Sequence, residues 1–242
     1  MDKKITLEPS FVIHTRPFQE TSLIADMFTR SYGRISVLAK GARRPKSKLK
    51  VIQTPSSLFS ISWIGKNELK TLIDCEIKEY FDSSPGSYNS LVYLNELITK
   101  LLQKEDAHEE IFEQYLKVCN FLKENNKGEL EVNLRMFELV LLREIGYGLD
   151  LTNEANSKKK INEDSTYRLD PTVGFLLVTE SVQGAEKSLF KGRDILNFSR
   201  GNLANLDTRK SSKQIMRQAL DFHLKTNSLK IREYLSRKGA VS

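Results

Sequence analysis

The sequence predicts an α+β protein in which a five-stranded β-barrel is followed by a mainly helical domain. Hydrophobic residues alternate with a period of two through roughly the first eighty positions, and after the turn-forming cluster SSPGS they recur about every 3.6 residues. With 39% hydrophobic residues, a chain of 242 residues can bury one large core or two modest ones. We therefore expect domains over residues 1–82 and 83–242. The alternative is a single α+β domain in which the barrel and the helices share one core.

Five strands are predicted, around residues 11–14 and 22–29 and over residues 34–40, 58–64 and 69–81. The last two are joined by turn-forming residues and form a hairpin. Five strands in this length match the size of an OB-fold, a small barrel that often binds nucleic acids.

Alternation also predicts which side chains of these strands face the core. In the third strand the core face carries Ile35, Val37 and Ala39, and the opposite face carries Arg34 and Lys40. In the two arms of the hairpin the predicted core residues are Phe59, Ile61 and Trp63, and then Leu69, Thr71, Ile73, Cys75 and Ile77.

Helical spacing then predicts three amphipathic helices, within residues 91–101, 111–122 and 130–145. The stretch at residues 153–164 is too polar to pack and is predicted as a loop, within an irregular region near residues 150–175 and before a short buried strand at residues 175–178. Further helices are predicted over residues 194–199, 213–225 and 229–237, the second of them capped by Ser211 or Ser212.

Charge is distributed unevenly along the chain. The net charge is +5 over residues 1–84, −5 over residues 85–150 and +7 over residues 151–242. Two basic regions around an acidic one indicate that particular surfaces hold a polyanion. The sequence shows no apolar run long enough to cross a membrane and no secretory signal at its start, so we expect a cytoplasmic protein.

No motif of a common enzyme class is present. The sequence lacks the GxxxxGK[ST] phosphate loop, the GxSxG elbow, the HExxH pair and the GxGxxG turn. The acidic residues at positions 105–110 are interpreted as the solvated start of a helix, where carboxylates complement the helix dipole. Cys75 and Cys119 have no CxxC partner and are predicted to be buried thiols. We expect no catalytic residue, no metal and no cofactor.

The strongest functional signal is the segment KGARRPKSKLK at residues 40–50, called here the basic segment, which contains no acidic residue. Cations concentrated in a flexible loop at the end of a strand suit phosphates, because they release the counterions of a nucleic acid. The predicted nucleic-acid-binding residues are Arg34, Lys40, Arg43, Arg44, Lys46, Lys48 and Lys50. The alternative is a non-enzymatic interaction adaptor whose basic segment binds an acidic protein, and a nuclease is a third possibility.

Several stretches of the chain resemble the RecO family of bacterial DNA recombination and repair proteins. The resemblance is densest in residues 11–49, which contain an RPxxETS turn, an FTRxxG turn and the KGARRPKS loop. It continues in residues 134–151, in the GFLLV strand, and in the C-terminal LKIRE stretch, so that it spans nearly the whole chain.

This resemblance implies an N-terminal OB-fold, a helical domain and a mediator role without catalysis. Members bind single- and double-stranded DNA, anneal complementary strands, associate with RecR, and use the acidic tail of single-stranded-DNA-binding protein (SSB) to help load RecA. Location at the nucleoid follows from these partners. The family's DNA-contacting cations fall on Arg34, Lys40, Arg43 and Arg44.

Two further expectations follow from the resemblance. The SSB tail needs a cation beside an apolar groove, and the candidates in the matching helix are Arg135, Phe137 and Leu141. Many members also carry a four-cysteine zinc motif, but residues 153–175 of this chain contain no cysteine. Because structural zinc needs N or S ligands at defined spacing, we predict that this protein holds no zinc.

Overall fold

A computed structural model describes residues 4–81, 85–123, 127–179, 189–224 and 229–239. The predicted domain boundary, between residues 82 and 83, lies outside the described residues. The chain forms two compact units, one of residues 1–125 with 229–242 and the other of residues 126–228. The first unit contains the barrel, two helices that follow it and the last helix of the chain. The second contains three helices and a small sheet.

Five strands form a closed barrel in the first unit, which confirms the predicted fold class. The strands are β1 (Lys4–Phe18), β2 (Ser22–Thr29), β3 (Gly33–Ala39), β4 (Ser57–Ile64) and β5 (Leu69–Tyr80). Their order around the barrel is β1-β2-β3-β5-β4, and all neighbours are antiparallel except β3 and β5. The segment between β3 and β4 includes a 3-10 helix over Lys48–Gln53.

The barrel interior confirms the alternation predicted for β3 and β4. Both strands bury every second side chain in one apolar cluster, and none of these side chains exceeds 2% exposure. The members from these strands are Ile35, Val37, Ala39, Phe59, Ile61 and Trp63. Tyr32 packs edge-on against Trp63, with 5.2 Å between ring centroids.

The alternation predicted for β5 is wrong at Ile77, which is exposed, and throughout the first half of the strand. In that half Leu69 and Ile73 are exposed, whereas Lys70 and Leu72 are buried. The cause is a bulge: Ser62 pairs with Asp74 but Trp63 pairs with Leu72, so one residue of β5 has no counterpart. An extra residue inverts the faces of a strand on one side of the bulge, which alternation alone does not show.

Two helices cover part of the barrel exterior. They are α1 (Pro85–Leu101) and α2 (Glu109–Lys123), which contain the predicted helical segments and begin before them. Phe112 and Tyr115 of α2 meet Phe11 and Phe28 of the barrel, with ring centroids 4.6 to 6.3 Å apart. The outward face of β1 and β2 is therefore apolar where the helix lies on it.

The connection between α1 and α2 is attached to the barrel by polar contacts. A Cβ atom at Gly33 would lie 1.8 Å from the carbonyl oxygen of Asp106, so the close approach of this connection requires glycine. Glu105 forms an ion pair with the buried Lys70. Arg30 bonds Glu109 at 2.6 Å and Glu113 at 3.1 Å. The acidic residues predicted to be simply solvated are thus in part ion-paired with barrel cations.

The last helix of the chain, α6 (Lys230–Gly239), packs against α1. The Glu96 carboxylate accepts hydrogen bonds from the backbone N–H groups of Lys230 and Ile231, at 2.8 and 3.1 Å. Because the first N–H groups of a helix have no partner within the helix, Glu96 acts as its cap from another element.

The second unit contains α3 (Lys127–Glu144), α4 (Gly192–Ser199) and α5 (Leu206–Leu224), with β6 (Thr166–Asp170), β7 (Gly174–Leu177) and β8 (Leu189–Lys191). The three strands form an antiparallel sheet in the order β7-β6-β8. The predicted cap of α5 is wrong, because Ser212 is buried inside the helix. Asn205 caps α5, its Oδ1 accepting from the N–H of Asp207 at 2.8 Å.

Both cysteines are buried and neither forms a disulfide. Burial, and then the charge of Asp74, raise the pKa of Cys75 to about 12, so its thiol stays protonated. Among the described residues, no helix is both long and apolar enough to cross a membrane.

Candidate nucleic-acid interface

The basic segment is a series of ordered turns, in contrast to the flexible loop predicted for it. Ala42, near the start of the segment, and Ile52, just after its end, are fully buried in the barrel core. The Gln53 amide donates to the carbonyl of Ala42 at 3.3 Å. The N–H groups of Arg44, Ser47 and Lys50 donate to the carbonyl three residues back, at 3.0 to 3.2 Å. The segment is therefore fixed to the barrel at both ends.

A second set of contacts joins the basic segment to the turn between β1 and β2. The N–H of Arg43 donates to the carbonyl of Thr21 at 2.9 Å, and the N–H of Gly41 donates to Ser22 Oγ at 3.3 Å. The Arg43 guanidinium also reaches the carbonyls of Glu20 and Gln19, at 3.2 and 3.4 Å. These two loops form one continuous edge of the barrel.

Six cations of the basic segment are exposed along this edge. They are Lys40, Arg43, Arg44, Lys46, Lys48 and Lys50. No carboxylate among the described residues forms an ion pair with any of them. Like charges held together without counter-charges repel one another, and an approaching polyanion relieves this repulsion.

Arg34, the remaining predicted cation, lies elsewhere. Its Nη1 atom donates to the carbonyls of Thr99 and Leu102, both at 2.7 Å, at the C-terminal end of α1. Burial lowers the pKa of Arg34, and the nearby Asp26 opposes that effect. Strand parity correctly places Arg34 on the outer face, but a helix end covers that part of the face. The structure therefore does not bring the Arg34 guanidinium together with the basic segment.

The structure adds one cation to this side of the barrel. Arg16 on β1 pairs with Ile24 on β2, which pairs with Leu38 on β3, so these three residues share the outer face. Lys40 follows two residues after Leu38, and Arg16 is exposed. Alternation within β1 could have indicated Arg16, but a cation with no charged neighbours in sequence gives a weak signal.

Comparisons with known proteins identify the family. Residues 1–81 match the profile described as Recombination protein O N terminal, and residues 83–233 match Recombination protein O C terminal. The chain belongs to the RecO family. Proteins named DNA repair protein RecO from Coxiella burnetii and Dechloromonas aromatica are 36% and 34% identical to it, over 237 and 232 residues. The matches cover 97% and 95% of this chain, and 100% and 95% of those relatives.

The candidates for the SSB tail lie in α3 of this RecO protein. Phe137 and Leu141 are 0% exposed. Arg135 is buried and bonds Glu138 at 2.8 Å, one turn along the helix. An apolar groove must expose its lining, and these side chains expose almost none. The tail site at these residues stays a prediction. Their side chains offer the tail almost no accessible surface.

The region where many RecO proteins have zinc is held here by hydrogen bonds and packing. Tyr167 is fully buried, and its hydroxyl accepts from the N–H of Asn162 at 2.8 Å and donates to Glu154 at 3.2 Å. The N–H of Ala155 donates to the carbonyl of Phe175 at 2.8 Å. The described residues contain no group of three or more His, Cys, Asp and Glu side chains suited to a metal. The donor set does not fit the zinc site of other members.

Proposed function

We propose that this protein is a recombination mediator in DNA repair, which binds single- and double-stranded DNA through the basic segment. The observation that supports this most is the row of six exposed cations, free of ion pairs among the described residues and fixed to a barrel edge. In this proposal Lys40, Arg43, Arg44, Lys46, Lys48 and Lys50 contact phosphates. The sequence also suggested Arg34 as a DNA contact. In this proposal Arg34 instead stabilises the fold through its hydrogen bonds to the end of α1.

The individual steps that we propose are those expected of a member of the RecO family. The protein would anneal complementary strands, associate with RecR, contact the SSB tail and help RecA load on SSB-coated DNA, acting at the nucleoid. None of these steps breaks or forms a covalent bond, so no catalytic residue is proposed. Annealing needs two strands to approach despite their repulsion, and bound cations lower that repulsion while the bases remain free to pair.

A salt-dependent titration tests DNA binding. We expect the variant R44A/K46A/K48A to bind a fluorescently labelled single strand more weakly than the unchanged protein, whatever the base sequence. Each lost phosphate contact flattens the slope of log K against log salt by about 0.7, so three lost contacts flatten it by about 2. Fluorescence anisotropy at several salt concentrations gives both the affinity and the slope.

The matched control is K158A/K159A/K160A, which removes three exposed lysines from the second unit. We expect this variant to keep the slope of the unchanged protein. If R44A/K46A/K48A also keeps that slope, the basic segment does not bind phosphates. The adaptor alternative predicts this outcome, because its basic segment binds an acidic protein surface.

A further inference from the structure

Aromatic side chains are exposed on the second unit, in a region that the proposed DNA surface does not use. Tyr147 follows the end of α3, and Phe222 and His223 lie in the last turn of α5. The rings of Tyr147 and His223 stack with 3.9 Å between centroids and 22° between planes, and Phe222 stands edge-on to His223 at 5.1 Å. Tyr147 remains 52% exposed and Phe222 48% exposed.

These rings border a concave site of about 280 Å³, called here the aromatic pocket. The opposite wall is the turn between β6 and β7, where Val173 is 56% exposed. Three glycines also line the pocket, at positions 146, 148 and 174, and leave room because they have no side chain. The size and lining suit one large side chain of a partner, with apolar walls around it.

Asp150 gives the aromatic pocket its charge. Among the described residues that line the pocket it is the one carboxylate, and none of them is a lysine or arginine. Burial opposes ionisation, but hydrogen bonds from Thr152 and Asn153 lower the pKa of Asp150 to about 2. Burial also lowers the pKa of His223, so its ring is neutral at neutral pH. The lining thus carries one negative charge, although the whole chain has a net charge of +7.

We infer that the aromatic pocket is a docking site for a protein partner that inserts an arginine side chain. A guanidinium stacks on aromatic rings by cation–π attraction, and the carboxylate of Asp150 supplies the opposite charge. A phosphate or an acidic peptide would meet a negative charge without any cation among the lining residues. The stack of Tyr147 on His223 fixes one ring in place before the partner arrives, which lowers the entropy lost on binding.

An NMR titration of the full-length, isotope-labelled protein tests this inference. The probe is the peptide acetyl-Gly-Arg-Gly-amide, and its matched control has Glu in place of Arg. We expect saturable shifts with the Arg peptide in the amides of residues 146–150 and 172–174 and in the His223 ring. The Glu peptide should leave these signals unchanged.

Two variants separate binding from folding. F222L removes one exposed ring, and D150N removes the charge while keeping a hydrogen-bond acceptor for Thr152. Each should weaken binding of the Arg peptide about two- to fivefold, the loss of one exposed cation–π contact or ion pair. The dispersion of the remaining amide signals reports that each variant is folded.

Four outcomes would overturn the inference. They are the absence of saturable shifts with the Arg peptide, equal shifts with the Glu peptide, shifts at the same residues with an oligothymidine, and shifts that depend on protein concentration alone. The third would indicate a stacking site for nucleobases, and the fourth would indicate a second copy of the chain. None of these results bears on the salt titration of the basic segment, which lies in the other unit.

Discussion

Arg34 and Arg44 are both cations of the barrel, and we propose different roles for them because their surroundings differ. Arg44 is exposed in the basic segment, whereas Arg34 donates twice to carbonyl groups at the end of α1. Basic side chains near the C-terminus of a helix satisfy carbonyls that lack a partner and complement the helix dipole. Charge and strand position alone therefore do not identify a DNA contact.

Replacing Arg34 with Ala is expected to destabilise the fold. The carbonyl of the exposed Thr99 and the carbonyl of the buried Leu102 lose a charged donor, and hydrogen bonds to charged groups typically contribute about 1.5–3 kcal/mol each. We expect urea unfolding to show a loss of about 2 kcal/mol for R34A, with the salt slope of DNA binding unchanged.

The control for this prediction is R44A, which should keep the stability within about 0.5 kcal/mol, as surface substitutions usually do, and flatten the salt slope. The roles assigned to these two arginines are wrong if R34A flattens the slope without lowering the stability.

At the scale of single elements, α6 depends on a carboxylate from α1. Burial raises the pKa of Glu96, but the N–H groups of Ile231 and Lys230 and the Lys100 ammonium outweigh it, so the net shift is downward from 4.5. A carboxyl group with a lowered pKa in the folded state contributes stability above its unfolded pKa. That contribution is lost as the pH falls through the folded value.

We therefore expect E96Q to lower the free energy of unfolding by about 1 kcal/mol at neutral pH, the typical contribution of a helix cap. The difference from the unchanged protein should shrink as the pH falls from the unfolded value of a glutamate, about 4.3, through the lower folded value, below which the carboxyl group is protonated in both states. Urea unfolding at several pH values measures it. A difference that stays constant down to acidic pH would show that the charge of Glu96 is unimportant.

At the scale of single elements, some features of the fold could be predicted from the sequence and others could not. Alternation identifies the core of β3 and β4, because residues such as Val37 and Ile61 are regularly spaced and the strands are unbroken there. It fails in β5, because the bulge near Ile73 depends on pairing with β4. It also cannot show that α1 ends over Arg34, since that contact joins residues far apart in the chain. The six cations of the basic segment could be predicted because they lie close together in the sequence with no acidic residue between them.

At the scale of the whole molecule, metal content tests the prediction that this protein folds without zinc. The buried hydroxyl of Tyr167 connects Asn162 and Glu154 where many RecO proteins have cysteine ligands. We expect elemental analysis of the purified protein to find no stoichiometric zinc, and EDTA to leave the midpoint of thermal unfolding unchanged. A structural zinc site contributes folding free energy, so its removal would lower that midpoint. Either stoichiometric zinc or a lower midpoint in EDTA would contradict the prediction.

The proposed strand annealing belongs to the scale of the whole molecule, because two polyanions would have to meet on it. If the cations of the basic segment screen one strand from the other, the annealing rate of two complementary oligonucleotides should fall in R44A/K46A/K48A. It should stay near that of the unchanged protein in K158A/K159A/K160A. Acceleration by the unchanged protein should also decline as salt rises, because salt weakens the binding that brings the strands together. Fluorescence quenching between labelled strands follows the rate. Equal rates for the two triple variants would show that the basic segment does not promote annealing.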